Sequence, residues 1–586
     1  MVNLSECQRE SLQLVLSEYD EQYDPDERMV RSEASKVGYH TTIDEGVVHS
    51  TRTSLAYAVA LLDSGDDKNL ERAAAILRRV ISLQDQDPES KTYGIWSWYL
   101  EEPLEQMSPP DWNWADFCGV QLLAAYCDHH HRLSDDLNES LKQSIIHAAR
   151  SIERRNMGPH YTNISIMGTY VTLVAAETFG LPDLLTYAKE RARGVHEYIT
   201  YHGSFNEYNS STYTVVAVKE LTRILMDAQD EETRRLIKKI HNLAWRHIAR
   251  HFHPPTRQWA GPHSRCYQTD LRDRPGTLAF IQAGTHDAVR FFENQPLPLD
   301  LDACRLSLAC PDEYIPLFVS LEKETTVVET FTRAEPETEG KKLPIIGTTF
   351  LGKHLTLGSV NHSMLWNQRR AILAYWGTPD RPTYLHVRFM HDGYDYCSAM
   401  VATAQQERDL LAAVTFATDR GDTHPNLDPL KDGTIEARDL RLRFDFGADI
   451  SSLELPGTCS SGSPVQFTDR DVAVSVYLLA ADFGKKKTRM DVHREDEHAY
   501  LDVILHEGEP EKFDFLQMNA AFIAFCLRVA ERPAVESDMP WDAFARVEKD
   551  RCTCFWKRPG GTLLVSVPKK PMPYRELQDS FEMEKF

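Results

Sequence analysis

Between Glu6 and about Arg290 the chain repeats one device: an apolar stripe at three- and four-residue spacing, a short polar turn, then a second stripe. The stripes are SLAYAVALL, NLERAAAILRRVISL, FCGVQLLAAYC, LKQSIIHAARSI, ISIMGTYVTLVAAETF, LLTYAKERARGVHEYI, TYTVVAVKELTRILM and TRRLIKKIHNLAWRHIARHF. Turns such as Ser64-Gly-Asp-Asp and Gly180-Leu-Pro-Asp join them in pairs that begin near Ser50, Trp114, Asn163 and Ser211. Helical hairpins at a pitch of roughly fifty residues either stack as an open solenoid or close into a ring. The pairs share no repeated sequence, which favours the closed form, an (α/α) toroid.

The period changes after Glu324. TTVVETFTR, HLTLGSV, RAILAYW, TYLHVRFMH, DVAVSVYLLA, AYLDVILHE, AAFIAFCLRV and GTLLVSV are β-branched and aromatic runs broken by Gly, Pro and Asp turns. The expected fold class is therefore α+β multidomain: an N-terminal (α/α) toroid over 1–324, then a C-terminal antiparallel β-sandwich over 325–586. The stretch after Lys569 reads as an arm or loose end.

Composition narrows the partners. The formal net charge is -23, which repels phosphate backbones and argues against nucleic acid. It leaves an acidic sugar open, because a local basic pocket can hold a carboxylate. No run approaches the length of a membrane span, and the first residues carry no secretory signal pattern. The 11 cysteines are scattered singly except Cys552 and Cys554, so reduced thiols in a cytoplasmic protein are expected. Self-association is left open. No cofactor motif is present, and a structural divalent cation stays undecided. Asp128-His129-His130-His131 lies at a helix end where neighbours diverge, so it reads as a solvated cluster rather than a metal site.

The informative segments lie between the helices. They are Asp44–Arg52 with His49 and Arg52, Gly94–Tyr99 with Trp96 and Trp98, Pro110–Asp116 with Asn113 and Trp114, His160–Asn163 with Tyr161, His202–Tyr213, and Gly261–Tyr267. In a ring of hairpins the loops that lead into alternate helices share one rim. HGSFNEYNSSTY, at 202–213, is the densest of them. It carries His202, Glu207, Tyr208, Asn209 and Tyr213, with Ser210–Thr212 placed to cap the next helix.

These residue types suit a glycan. Trp96, Trp98, Trp112, Trp114 and Tyr161 offer flat faces for sugar rings. Cleavage of a uronate-bearing glycan by β-elimination needs a group that neutralises the carboxylate, a base for the C5 proton, and an acid for the C4 oxygen. Asn113, Asn163, Asn209 and Arg265 suit the first task; Tyr208, Tyr213, His202 and His263 suit the other two. Hydrolysis would instead pair carboxylic acids, here Glu207 with Asp111 or Asp116. A third outcome is a non-catalytic glycan-binding protein. Leu357–Arg370, read as a strand, places His362, Trp366 and Gln368 on one face and adds His362 or Arg369 to the rim.

Asn113-Trp114, Gly203-Ser204-Phe205 and Tyr213 resemble segments of the hyaluronate lyase group. The string Glu207-Tyr208-Asn209-Ser210…Tyr213, with NISIMG, GPHSR and WNQRR, resembles heparinase II/III-like proteins of the (α/α)-toroid polysaccharide lyase superfamily, with Ser211 where their motif has proline. The resemblance spans roughly 44–376. It implies a cofactor-independent lyase on an acidic oligosaccharide or polysaccharide, Tyr213 as proton carrier, and Asn113 or Asn163 on the carboxylate. His202, Tyr208, His263 and His362 compete for the base.

Overall fold

The structure, a computed structural model, describes residues 4–34, 40–293, 295–333, 343–457, 459, 462–484, 486–532 and 541–581. The chain divides into two compact units. The first holds Met1–Tyr201, Val215–Trp245 and Pro275–Pro311; the second holds His202–Thr214, Arg246–Arg274 and Asp312–Phe586. In place of the single cut at 324/325 drawn from the sequence, the units interleave.

The first unit is built from helices α1 (Glu6–Gln22), α2 (Thr51–Asp63), α3 (Asp67–Ile81), α4 (Trp114–His129), α5 (Asp135–Arg155), α6 (Thr162–Phe179), and most of α7 (Pro182–His202), α8 (Tyr213–Asp227) and α9 (Glu231–His251). Each apolar stripe of the sequence falls on one of α2 to α9. Burial sorts the pairs into inner and outer members. Of the 18 residues of α6, 15 are buried, against 8 of the 21 of α5. A helix apolar on every side belongs inside, and one with a single apolar face belongs outside. Helices α2, α4 and α6 are thus the inner layer and α3 and α5 the outer one, the arrangement of an (α/α) toroid. Gly180 ends α6 with φ +67°, a left-handed position that suits glycine.

One end of this unit is held by charge. Asp63 and Asp128 sit in the last turns of α2 and α4, where the helix dipole disfavours acids. Arg305 compensates: its Nε lies 3.0 Å from Asp63 and its Nη2 2.5 Å from Asp128. Arg223 binds Asp302 at 2.8 Å, and Lys219 binds Asp300 at 2.8 Å. Of the expected solvated histidine cluster, His130 and His131 are exposed, and His129 is the correction. His129 is fully buried, with Nε2 2.7 Å from Asp63.

The second unit carries the antiparallel sheets. The largest runs, in spatial order, Arg489–Glu495, His498–Asp514, Thr434–Ala448, Pro382–His391, Ile372–Gly377, Leu355–Val360, Pro344–Leu351 and Thr325–Arg333, with Tyr394–Asp395 beside Pro382–His391. A second sheet runs Ala399–Gln406, Asp409–Phe416, Ala521–Glu531, Val472–Phe483 and Val465–Asp469. Their facing sides share one core, to which Leu442, Phe444 and Leu501 contribute from the first sheet and Leu410, Ala412 and Phe525 from the second. Side chains alternate along a strand, so Leu411 and Ala413 point the other way. They pack with Trp556, Val565 and Val567 of a three-stranded sheet, which makes a third layer.

Two features depart from the sequence reading. Residues 361–371 form a loop, not a strand, so His362, Trp366 and Gln368 share no pleated face. The end of the chain is not loose as far as residue 581. Leu577, in the helix Tyr574–Ser580, is buried with Leu365, Met400 and Ala417; residues 582–586 lie outside the described residues. All eleven cysteines are free thiols, and no helix among the described residues is long and apolar enough to cross a membrane.

Candidate functional site

In the second unit the segment 202–213 is folded over a backbone scaffold. Gly203 has φ +87°, and a Cβ there would meet Thr330 O at 2.8 Å, so glycine is required on both counts. His202 Nδ1 accepts from Thr332 Oγ1 at 3.1 Å and from Arg333 N at 3.0 Å. Tyr208 is 1% exposed and stacks on Phe331 with centroids 4.7 Å apart; burial drives its phenol up. Asn209 sits at φ +44° and works as a three-way clasp. Its Nδ2 donates to Ala260 O at 2.9 Å and Pro262 O at 2.8 Å, and its Oδ1 accepts from Trp259 Nε1 at 2.6 Å. Ser210 Oγ accepts from Tyr213 N at 2.9 Å, capping α8, and donates to Arg265 O at 2.6 Å.

The segment 259–268 runs between this loop and 366–370. His263 N donates to Arg370 O at 3.0 Å, and Cys266 N donates to Gln368 O at 2.8 Å. Four sequence candidates become scaffold here. His263 is buried with both ring nitrogens against the carbonyls of Asn209 and Trp259, and burial holds its imidazole down at about 4. Asn209 has no donor left for a substrate. Arg369 spends its guanidinium on the carbonyls of Trp366, Tyr396, Cys397 and Ala399. His362 is buried against Phe581, and burial pushes it to about 4. Tyr208 and His202, committed as they are to packing and backbone, are likewise not placed as proton carriers.

Of the sequence candidates for proton transfer and carboxylate binding in this unit, Tyr213 and Arg265 remain. Tyr213 Oη lies 2.9 Å from Tyr267 Oη. Arg265 Nη2 donates to Tyr267 Oη at 3.1 Å, and Arg265 Nε donates to Gln368 Oε1 at 3.2 Å. The guanidinium stands 4.4 Å from the Tyr213 ring centroid and 4.1 Å from that of Trp366. Stacking on two aromatic faces suits a planar cation. Burial pushes the Tyr213 phenol well up; Arg265 opposes this, while Tyr267 and Glu207 add to it. The phenol is therefore protonated at neutral pH. Tyr267, 41% exposed, is the residue that the sequence reading missed. Its one signal was its place two residues after Arg265.

In the first unit a second cluster sits where α2, α4 and α6 begin. Trp98 and Trp114 stack at 4.9 Å with 25° between planes. Trp114 Nε1 donates to Thr51 Oγ1 at 3.0 Å, and Trp98 Nε1 to Asp111 Oδ2 at 3.1 Å. Asn113 Oδ1 accepts from Arg155 at 2.6 Å, and its Nδ2 lies 3.5 Å from Tyr161 Oη. Asn163, the second residue of α6, is buried with Oδ1 unpartnered. Asp116 is buried; desolvation lifts it to about 7 against the pull of Arg191 and Arg155. A Cβ at Gly168 would meet Asp116 Oδ1 at 2.7 Å, so glycine makes room for this acid.

Three more candidates from this unit are corrected. Trp96 is fully buried, its Nε1 donating to Val80 O at 2.9 Å, and is core. His49 is buried between Glu101, 2.5 Å from Nδ1, and Asp24, 3.3 Å from Nε2. Arg52 stacks on Phe117 at 3.9 Å. The three carboxylates of the hydrolytic reading are all buried, and Asp111 is also committed to hydrogen bonds. Asp111 accepts from Trp98 and from Asn113 N, Asp116 lies in the interior, and Glu207 is buried.

Residues 12–294 match a family described as a domain of unknown function (DUF8769). No curated protein matches the chain. Among solved structures, heparinase III is similar with 10% identity and a TM-score of 0.45, over 96% of this chain and 91% of that one. Endoglucanase CelQ from Clostridium thermocellum, complexed with cellotetraose, is similar with 9% identity and a TM-score of 0.27, over 90% of this chain and 93% of that one. Likenesses of this size carry no functional argument.

Proposed function

We propose that the protein is a carbon–oxygen lyase that cleaves a uronate-bearing oligosaccharide or polysaccharide by β-elimination, leaving a 4,5-unsaturated sugar. The observation that carries this reading is the Tyr213–Tyr267–Arg265 group. It joins two hydrogen-bonded phenols to a cation, and among the described residues nothing accepts from Arg265 Nη1. A free N–H pair on a guanidinium held flat between Tyr213 and Trp366 suits a sugar carboxylate. Pairing with that charge acidifies the neighbouring C5 proton.

The two phenols divide the proton work. Tyr213, kept neutral by burial, is the donor to the departing C4 oxygen. Tyr267 enters the cycle as the phenolate, held by the Arg265 guanidinium, and takes the C5 proton. Tyr213, having given its own proton to the C4 oxygen, recovers one from Tyr267 through the 2.9 Å contact, which restores the Tyr267 phenolate for the next turnover. The electron pair of the C5–H bond becomes the C4–C5 double bond as the C4–O bond breaks, so no cofactor is needed. In the first unit the stacked pair Trp98–Trp114, with Asn113, Asn163 and Tyr161, is proposed to bind sugar rings.

Turnover of uronate oligosaccharides by Tyr213→Phe, Tyr267→Phe and Arg265→Lys tests the assignment. Loss of a proton carrier lowers kcat about 10²–10⁴-fold. Arg265→Lys keeps the charge but loses the stacked fork, so it raises KM more than it lowers kcat. Near-full activity of Tyr213→Phe would end the proposal. Saccharide binding without turnover in the parent protein would make it a binding protein instead.

A further inference from the structure

We propose that His247, His251 and Glu329 of the second unit bind a divalent cation of the zinc class. The three side chains are buried, and one ligand atom of each lies within 4.8 Å of the others. His247 and His251 are four residues apart in the last turn of α9, so they share one face. Glu329 comes from the strand Thr325–Arg333.

The hydrogen bonds fix which atoms face the centre. His251 Nδ1 lies 2.8 Å from His247 O, and a carbonyl has no proton, so Nδ1 is the donor. His251 Nε2 is then a lone pair, and no partner meets it. By the same logic His247 Nε2, 3.0 Å from Gly203 O, is the donor there and Nδ1 faces inward. Glu329 Oε1 takes an ion pair from Arg250, which leaves Oε2. His247 Nδ1 and Glu329 Oε2 lie 2.6 Å apart, yet neither makes a hydrogen bond of acceptable geometry. A close imidazole–carboxylate pair with the unpartnered Nε2 of His251 beside it gives three inward ligand atoms that one cation can share.

Two imidazoles and one carboxylate are a borderline-soft set suited to zinc. Bonds of roughly 2.0–2.2 Å in tetrahedral array put ligand atoms about 3.4 Å apart, so the 2.6 Å pair would open by about 0.8 Å on binding. The backbone carbonyls of His247 and Gly203 already orient both rings, the arrangement that outer partners supply at metal sites. Through Gly203 the ion would brace the start of the segment that ends in Tyr213. The role is structural, and it stands or falls apart from the lyase reading.

The test is metal analysis of tag-free protein, as isolated and after zinc reconstitution, with cobalt substitution as the spectroscopic probe. The expected result is about one equivalent of metal and visible bands of low-coordinate cobalt, both lost in His251→Gln. Chelation should also speed amide exchange over residues 203–214. His251→Gln also removes a buried ring that packs on Phe331 and bonds His247 O, so its Tm falls on either reading, and metal content with the cobalt spectrum decides. Should the variant not fold, the cobalt titration of the parent protein decides alone. Less than about a tenth of an equivalent after reconstitution, with no cobalt spectrum, would overturn the proposal.

Discussion

Replacing Asn209 should loosen the candidate site without touching a reactive group. Its side chain makes three buried hydrogen bonds, at 2.9, 2.8 and 2.6 Å, to Ala260 O, Pro262 O and Trp259 Nε1. Each is worth about 1 kcal/mol, and three buried partners are stranded by its loss, so Asn209→Ala should cost about 3 kcal/mol from the side chain. The backbone adds to this. Alanine at φ +44° costs about 1 kcal/mol beyond glycine, after allowing for glycine's extra freedom in the unfolded chain. The totals are about 4 kcal/mol for Asn209→Ala and about 3 kcal/mol for Asn209→Gly. Urea unfolding followed by tryptophan fluorescence gives the totals, and amide exchange over 203–214 and 259–266 shows where the loss falls. A cost below about 1 kcal/mol for alanine, or glycine worse than alanine, would refute the clasp.

Further outcomes follow from the same geometry. Asp116 is lifted by burial to about 7, so the folded chain holds its proton more tightly than the unfolded chain does. Stability should therefore fall as pH rises from about 4 to about 7, by at most about 4 kcal/mol, and Asp116→Asn should flatten that slope. The check is Tm against pH for both proteins; parallel curves would contradict it. Arg305→Met leaves the buried Asp63 carboxylate with His129 alone and the partly exposed Asp128 without its cation, and should cost about 3 kcal/mol in thermal unfolding. A loss under about 1 kcal/mol would show the network to be idle. Tyr267→Phe should leave Tm unchanged, because its hydroxyl is exposed, while lowering turnover.

The helices were legible because burying one face of a helix forces a period that composition cannot hide; each of the eight apolar stripes falls on one of α2 to α9 and overruns its end by at most two residues. Thr325–Arg333 appeared from β-branched residues alone. What the sequence could not express was which polar groups the backbone would consume. His263 and Asn209 look like catalytic residues in a string of letters, and both are spent on carbonyls that no periodicity places. Trp96 and Trp98 are two residues apart and of one chemistry, yet one is core and the other half-exposed. Tyr267 was overlooked because its partner Tyr213 is 54 residues away in the chain. The His247–His251–Glu329 cluster escaped for the same reason, since Glu329 stands far in sequence from two histidines that read as one face of a helix.

The central claim is the elimination chemistry, and the product decides it. Uronate oligosaccharides incubated with the protein should give a rise in ultraviolet absorbance from the conjugated 4,5-unsaturated sugar, and the rise should vanish in Tyr213→Phe. Cleavage that releases reducing ends with no rise in absorbance would mean a saturated product and hydrolysis, and would contradict the account.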